Sequence, residues 1–447
     1  MRAIAWSVWV FINFVFLGMC GFFYVLCSQY WGYVEKRHAY MDTYYNKRTN
    51  IGQHHIQYYA ETDNHSDHLR QVIDNKANDV YPERKVRASP LARDRHESQR
   101  SSEKKGATPV EPTSKTDKVN QALNEKISKH KSQLMIQLRR VLHDESSVFK
   151  ARGEGSNPYN VEYVGPRGPY DKKSARELVC SLKKKGLIKM IQKEDEPFKS
   201  MGLGVQFPIE PVFEDDKIFE SCAVVSSAGS LRGSELGETI DKHDVVLRFN
   251  HAPTHEYEVD VGRKTSVRIV NSQVISKPEF NFLESPLYSN IKIVAWDPSK
   301  YNHSMEQWYQ NPDHDIFTSY FKHRSLKPET NSYILNPTSL WDLWDYIQAH
   351  MPLRIRRNPP SSGFLGLALL LPHCAHVDMF EFIPSFRMTK RCHYYDNLDD
   401  ISCTFGVWHP LSAEKLLLLS MNIANETEVF RDGYIRIPGY QTLGCGD

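Results

Sequence analysis

Short apolar, β-branched runs recur through the C-terminal part of the chain, most of them closing on a small, hydroxyl or amide residue. Ala223–Ser226, Val245–Asn250, Ser266–Asn271, Ile291–Trp296 and Val377–Ile383 read as strands. The segments between them are too long for tight hairpins, so the spacing predicts a mostly parallel sheet with crossover helices. Helical patterns cover Ser339–His350, Ser362–Leu371 and Leu411–Asn422, the second entered through Pro359-Pro-Ser-Ser. Between Gln121 and Leu142, apolar positions at helical spacing (Leu123, Ile127, Leu134, Ile136, Leu138, Val141, Leu142) predict an amphipathic helix of a stem, or one that packs on the domain, carrying no chemistry. The fold class is therefore α/β, a Rossmann-like single nucleotide-binding domain with helices on both faces of the sheet.

The N-terminal region has a different pattern. Ala3 to Cys27 contains no charged side chain, and at 1.5 Å per residue it spans about 37 Å, enough to cross a hydrocarbon core of about 30 Å with some tilt. A cleaved signal peptide is the competing reading, but its apolar region is usually shorter and ends at a small-residue site. From residue 28 to 150 the chain turns polar, and Arg87 to Lys118 has no Phe, Trp or Tyr, so it cannot bury enough apolar surface to offset its ordering entropy. The expected organisation is a cytosolic tail at 1–2, a signal anchor at 3–27, a flexible stem at 28–150 and a catalytic domain at 151–447.

Composition adds compartment rather than partner. With 447 residues, 40% apolar content and a formal charge of +2, the chain can bury a full core but carries no basic field for nucleic acid. Two of the eight cysteines lie in the apolar run, leaving Cys180, Cys222, Cys374, Cys392, Cys403 and Cys445. Six cysteines allow 15 connectivities, and no Cys-x-x-Cys pair suggests zinc. Sequons stand at Asn64, Asn302 and Asn425, while Asn336-Pro-Thr is blocked by its proline. Arg2 before the apolar run faces Lys36 and Arg37 beyond it, with Glu35 offsetting part of that, so charge alone does not orient the span. Even cysteines, sequons and one N-terminal span together favour a lumenal C-terminal domain.

Hydroxyls and carboxamides at strand ends suit nucleotide binding, because open α/β sheets bind ligands there. Ser361-Ser362-Gly363 opens a helix, where free N–H groups can face an anion; helix capping by serine looks identical in sequence. An isolated asparagine at a strand end is usually a turn former, and a single histidine among 19 is more often structural. Asp313-His-Asp315 matches the Asp-x-Asp signature of metal-dependent glycosyltransferases, a three-residue pattern that arises freely by chance.

Four ordered segments carry a resemblance. Cys222-Ala-Val-Val-Ser-Ser-Ala-Gly-Ser-Leu-Arg running on to Asn250 and Asn271 resembles the large motif of animal sialyltransferases; Asn358-Pro-Pro-Ser-Ser-Gly363 continuing to Cys374 is similar to the small motif; His393-Tyr-Tyr-Asp396 to the third; and His409-Pro-Leu-Ser-Ala-Glu414 to the very small one. The wording of the first is most similar to the β-galactoside α2,6-sialyltransferase branch. The resemblance covers roughly residues 175 to 447. It implies a Golgi type II membrane enzyme that moves sialic acid from CMP-sialic acid, with inversion and without a metal, to terminal galactose or N-acetylgalactosamine. It assigns His409 as general base, with Glu414 supporting it or the local structure. Donor binding falls to Ser227, Asn250, Asn271, Ser361, Ser362 and Gly363, with His393, Thr404, Trp408 and Lys415 as further contacts. It also pairs Cys222 with Cys374, Cys392 with Cys403 and Cys180 with Cys445. His393 and Trp408 stand where close branch members often carry tyrosine. A glycoside hydrolase would need paired carboxylates, and none stand out near His409; a membrane-anchored glycan-binding protein without turnover is the other reading.

Overall fold

In the computed structural model, which describes residues 115–152, 157–214, 216–406 and 408–446, the apolar runs form one sheet of seven strands among the described residues. These are β1 (Phe219–Val225), β2 (Val245–Phe249), β3 (Val267–Asn271), β4 (Lys292–Trp296), β5 (Ser332–Ile334), β6 (Cys374–Phe380) and β7 (Tyr434–Pro438). Their order is β5-β4-β3-β2-β1-β6-β7. Every neighbouring pair is parallel except β6 and β7, which are antiparallel. The inner strands are mostly apolar because both faces are covered, with Arg248, Arg268 and Asp378 as buried exceptions. Val246 packs with Ile240 and Val261 on one face, while Leu247 and Phe249 on the other approach Gly366 of a helix so closely that a Cβ there would sit 2.9 Å from Leu247.

Two strands escaped the sequence pattern, and both are edges. β5 is only three residues long, and β7 ends on Pro438, which cannot continue a ladder. The expected strand at Val377–Ile383 instead spans Cys374–Phe380. Its chain breaks away at Glu381, whose φ of 49° lies in the left-handed region.

Five helices matter for the site: α1 (Lys115–Arg152), α2 (Ala175–Lys185), α3 (Thr338–Ala349), α4 (Ser362–Leu370) and α5 (Leu411–Met421). The amphipathic pattern near residues 121–142 belongs to α1, and the compact unit runs from Ala107 to Asp447. The boundary at 150 expected from composition therefore cuts through a helix that packs on α5. Leu134, Leu138, Val141 and Leu142 are buried, whereas Ile136, on the opposite side of the helix, is 67% exposed. His130 Nε2 donates to the Pro384 carbonyl at 2.9 Å, and the buried Glu145 accepts from Arg356 Nε at 3.2 Å. Leu138→Ala is expected to cost about 2–4 kcal/mol in denaturant unfolding of the full chain, the range for emptying a core site. A helix detached from the domain would show almost no change.

The three disulfides follow the family pairing: Cys180–Cys445, Cys222–Cys374 and Cys392–Cys403. The second clamps β1 to β6 and the first ties α2 to the C-terminal segment, closing a separation of 265 residues, worth about 4–5 kcal/mol in a chain-entropy account. Asn302 and Asn425 are exposed. Asn64, the apolar segment 3–27 and the 28–114 part of the expected stem lie outside the described residues; no helix among the described residues is long and apolar enough to cross a membrane.

Candidate active site

The chain runs from β1 outward to β5 and then returns to place β6 on the other side of β1. The carboxyl ends of β1 and β6 therefore form a topological switch point, where neighbouring loops must diverge and leave a crevice. Val225 and Phe380 are register partners at that end. Beyond them a cavity of about 170 Å³ is lined by Ser227, His393, Thr404 and Lys415 together with Glu381 and Phe382. Four of the expected donor contacts thus meet in one cavity.

His409 stands on the turn entering α5, whose Leu411 and Lys415 line this cavity; His409 itself is not among the lining residues. Its Nδ1 is 2.8 Å from the Pro359 carbonyl oxygen. A carbonyl can only accept, so Nδ1 carries the proton and Nε2 keeps its lone pair. Burial pushes the imidazole below its ordinary pKa; the Pro359 contact opposes this and the Arg356 charge adds to it. A neutral, oriented ring with a free Nε2 can take a proton. Gly406 makes the turn possible: at φ 98° its missing Cβ would fall 2.6 Å from the His409 carbonyl.

Glu414 acts on the loop that enters α4 rather than on the histidine. Its Oε1 accepts from Ser361 N at 2.7 Å and its Oε2 from Ser361 Oγ at 2.5 Å. Ser361 Oγ in turn caps α4 by accepting from Phe364 N at 3.3 Å. The capping reading holds, and Ser362 and Gly363 occupy the first turn of α4, where backbone N–H groups have no intrahelical acceptor. Gly363 is required by its neighbour: a Cβ would meet the Phe382 ring at 2.3 Å. Burial pushes Glu414 up to about 7, against its bonds to Ser361. Burial brings the adjacent Lys415 down to about 8, with Glu414 opposing, and its Nζ sits 4.6 Å above the Phe382 ring.

The two carboxamides stand at the carboxyl ends of β2 and β3 and do not line the cavity. Asn250 follows β2 at φ 46° and its Oδ1 accepts from Asn271 N at 3.1 Å; Asn271 ends β3 and its Oδ1 caps the helix Ser272–Ser276 through Val274 N at 3.0 Å. Both amide oxygens are thus used locally, as a turn former's would be, and each amide nitrogen remains for a ligand. Arg268 holds the loop that presents Asn250, donating Nη1 to the carbonyls of Asn250 and Ala252 at 3.0 Å each. Burial lowers this guanidinium to about 10.

Trp296, which the sequence reading passed over, links the two halves. It is the register partner of Asn271, its Nε1 donates to Ser362 Oγ at 3.2 Å, and its ring centroid lies 6.4 Å from that of His409. An aromatic closing a strand at the carboxyl edge of the sheet was the available signal. Arg268 had one too, as a cation inside the apolar run Val267-Arg-Ile-Val. The Pro359 carbonyl had none, because a main-chain acceptor leaves no trace in residue type.

His393 stacks on Tyr395 at 5.0 Å with 8° between the rings, and its Nδ1 bonds Asp396 at 2.6 Å. The Ser227 carbonyl accepts from Tyr394 N at 3.1 Å. Trp408 is 45% exposed and does not line the cavity. The Asp-x-Asp pair divides its roles: Asp315 caps the helix Ile316–Leu326 through Thr318 N, while Asp313 and His314 lie near the buried Asp297. Asp297 already accepts from Trp308 Nε1, Asp313 N and His314 N, which makes it a structural anchor for this turn.

A family model described as Glycosyltransferase family 29 (sialyltransferase) matches residues 185–425. Proteins named beta-galactoside alpha-2,6-sialyltransferase 2 are similar to the chain. The one from Danio rerio is 43% identical over 291 residues, covering 65% of this chain and 56% of that protein; the one from Bos taurus is 40% identical, covering 68% and 62%; and the one from Homo sapiens is 40% identical, covering 65% and 55%. The chain thus spans little more than half the length of these relatives. A solved structure titled "Crystal Structure of a Mammalian Sialyltransferase" aligns at TM-score 0.35 and 19% identity over 57% of this chain and 87% of that one, a likeness too low to bear on the fold. The family match takes in more than half of the chain, all of β1 to β6 and the four motifs, and the chain belongs to the glycosyltransferase family 29 sialyltransferases.

Proposed function

We propose that the chain transfers sialic acid from CMP-sialic acid to a terminal galactose or N-acetylgalactosamine of glycoprotein glycans, in α2,6 linkage and with inversion. The observation that carries this reading is the His409 ring, held by the Pro359 carbonyl with Nε2 free beside the start of α4. In the proposed step the acceptor hydroxyl gives its proton to Nε2 while its oxygen bonds to the anomeric carbon of sialic acid. The bond from that carbon to the phosphate oxygen breaks, and CMP leaves. Phosphate charge is met by the α4 N-terminus, its Ser361 cap and Lys415, so no metal is required. Asn250 and Asn271 offer amide donors to the nucleotide. The relatives' names support the linkage and acceptor. A glycan-binding protein without turnover is not favoured, since it would need no oriented base. A Golgi type II setting, with the domain lumenal, follows the family.

The test is transfer by the full chain to a galactose-terminated glycan with CMP-sialic acid, with and without a chelator. Product should form equally in both. Because a base works when neutral and burial lowers the His409 pKa, kcat/KM should hold as pH falls and decline only below 6.5. A decline centred near 7 would instead assign control to Glu414, and a folded chain that forms no product would sink the reading.

A further inference from the structure

A second cavity lies away from the crevice at the ends of β1 and β6. It has a volume of about 730 Å³ and lies between the segment 157–167, the C-terminal half of α3 and the loop that follows it. Its walls carry Arg167, Arg354 and Arg357, against one acid, Glu162, among the described lining residues. Arg354 and Arg167 are exposed. Arg357 is brought below its usual range by burial and by the neighbouring Arg354 charge. Like charges held together in a concavity favour an anion, because the ligand relieves their repulsion and field lines concentrate there.

One loop connects the cavity to the segment that orients His409. Arg357 is two residues from Pro359, at most about 7 Å along the chain, and the Pro359 carbonyl orients His409. The charge of Arg356, the residue before Arg357 in the chain, is felt at the His409 ring. An acceptor glycan of several sugars could engage both His409 and the wall formed by Arg354 and Arg357 of the loop that leads to Pro359. Tyr163 packs edge-on against Trp344 at 5.9 Å between centroids, and with Asn160 it provides the ring faces and amide that suit a saccharide.

We propose that this cavity binds an anionic saccharide, bearing a sulfate or a carboxylate, carried elsewhere on the acceptor glycan. The inference rests on the transferase reading above and adds to it a preference for acidic acceptors. The full chain would be assayed on a galactose-terminated glycan in neutral, sulfated and carboxylated forms, at low and high ionic strength. Expected is a KM about 10-fold lower for at least one anionic form at low salt. The difference should shrink as salt rises and vanish in the Arg167→Gln/Arg354→Gln variant, with kinetics on the neutral acceptor unchanged. The sulfated and carboxylated arms tell which anion is read. Equal KM for all three acceptors, or a preference that survives in the variant, overturns the proposal; should the variant not fold, the salt dependence of the native chain decides alone. Failure to transfer to any acceptor would defeat the function instead, and equilibrium binding of a sulfated disaccharide lacking galactose would still test the cavity.

Discussion

His409→Ala should lower kcat/KM for sialyl transfer by about 10²- to 10⁴-fold, the range for losing a positioned general base. The loss should fall on kcat, since the ring contacts the reacting hydroxyl rather than the nucleotide. The variant loses one hydrogen bond to the Pro359 carbonyl, a contact worth about 1 kcal/mol in net stability, so it should fold and still bind CMP. A variant that keeps more than about a tenth of native kcat would remove His409 from the mechanism, because no base contributes so little. The geometry identifies which nitrogen acts. Nδ1 is committed to a carbonyl that only accepts, which leaves Nε2 as the nitrogen able to accept a proton in the proposed step.

Glu414→Ala should be the most damaging change to the loop before α4. It leaves the buried Ser361 N–H without its acceptor and releases Ser361 Oγ, at about 1–3 kcal/mol for the orphaned donor. Stability measured by denaturant should fall by about that amount. CMP-sialic acid should bind less tightly, because Ser361, Ser362 and Gly363 lose their anchor. Glu414→Gln keeps an acceptor for the N–H and should cost less. The pH dependence separates this role from plain packing. The Glu414 pKa is raised on folding, to about 7 from an ordinary 4.5. A raised pKa means the folded state favours the protonated form, so its stabilisation is full below 4.5 and is lost as pH rises through 7. The Gln variant lacks that term and should lose less stability than the native chain between pH 4.5 and 7.5. Identical slopes in the two chains would show that Glu414 does not titrate as stated.

Much of the site was legible because its parts are local. Val245–Phe249 and Val267–Asn271 announce themselves by unbroken β-branched runs, and Asn250 and Asn271 by closing them. Ser361-Ser362-Gly363 marks a helix start in any fold. β5 and β7 were not legible, since three residues carry no periodicity and an edge strand needs no continuous apolar run. Glu414 could be assigned a supporting role from its motif, yet its partner is Ser361, 53 residues away in sequence. α1 shows the same limit. Its apolar stripe predicts an amphipathic helix, but the pattern does not say whether the stripe faces a domain or another stem element.

By itself the sequence determined the strand and helix positions around the motifs, the residue types able to bind a nucleotide and, through its motifs, the family. Those follow from local periodicity and from chemistry carried by single side chains. Only the tertiary structure decided that β6 returns beside β1 to open the crevice. It alone showed that Trp296 joins Asn271 to Ser362 and that a proline carbonyl orients His409. It alone brought the arginines of two distant segments around one cavity. The reason is physical: periodicity encodes which face of an element is apolar, whereas the meeting of remote groups depends on strand order and register, which the whole core selects at once.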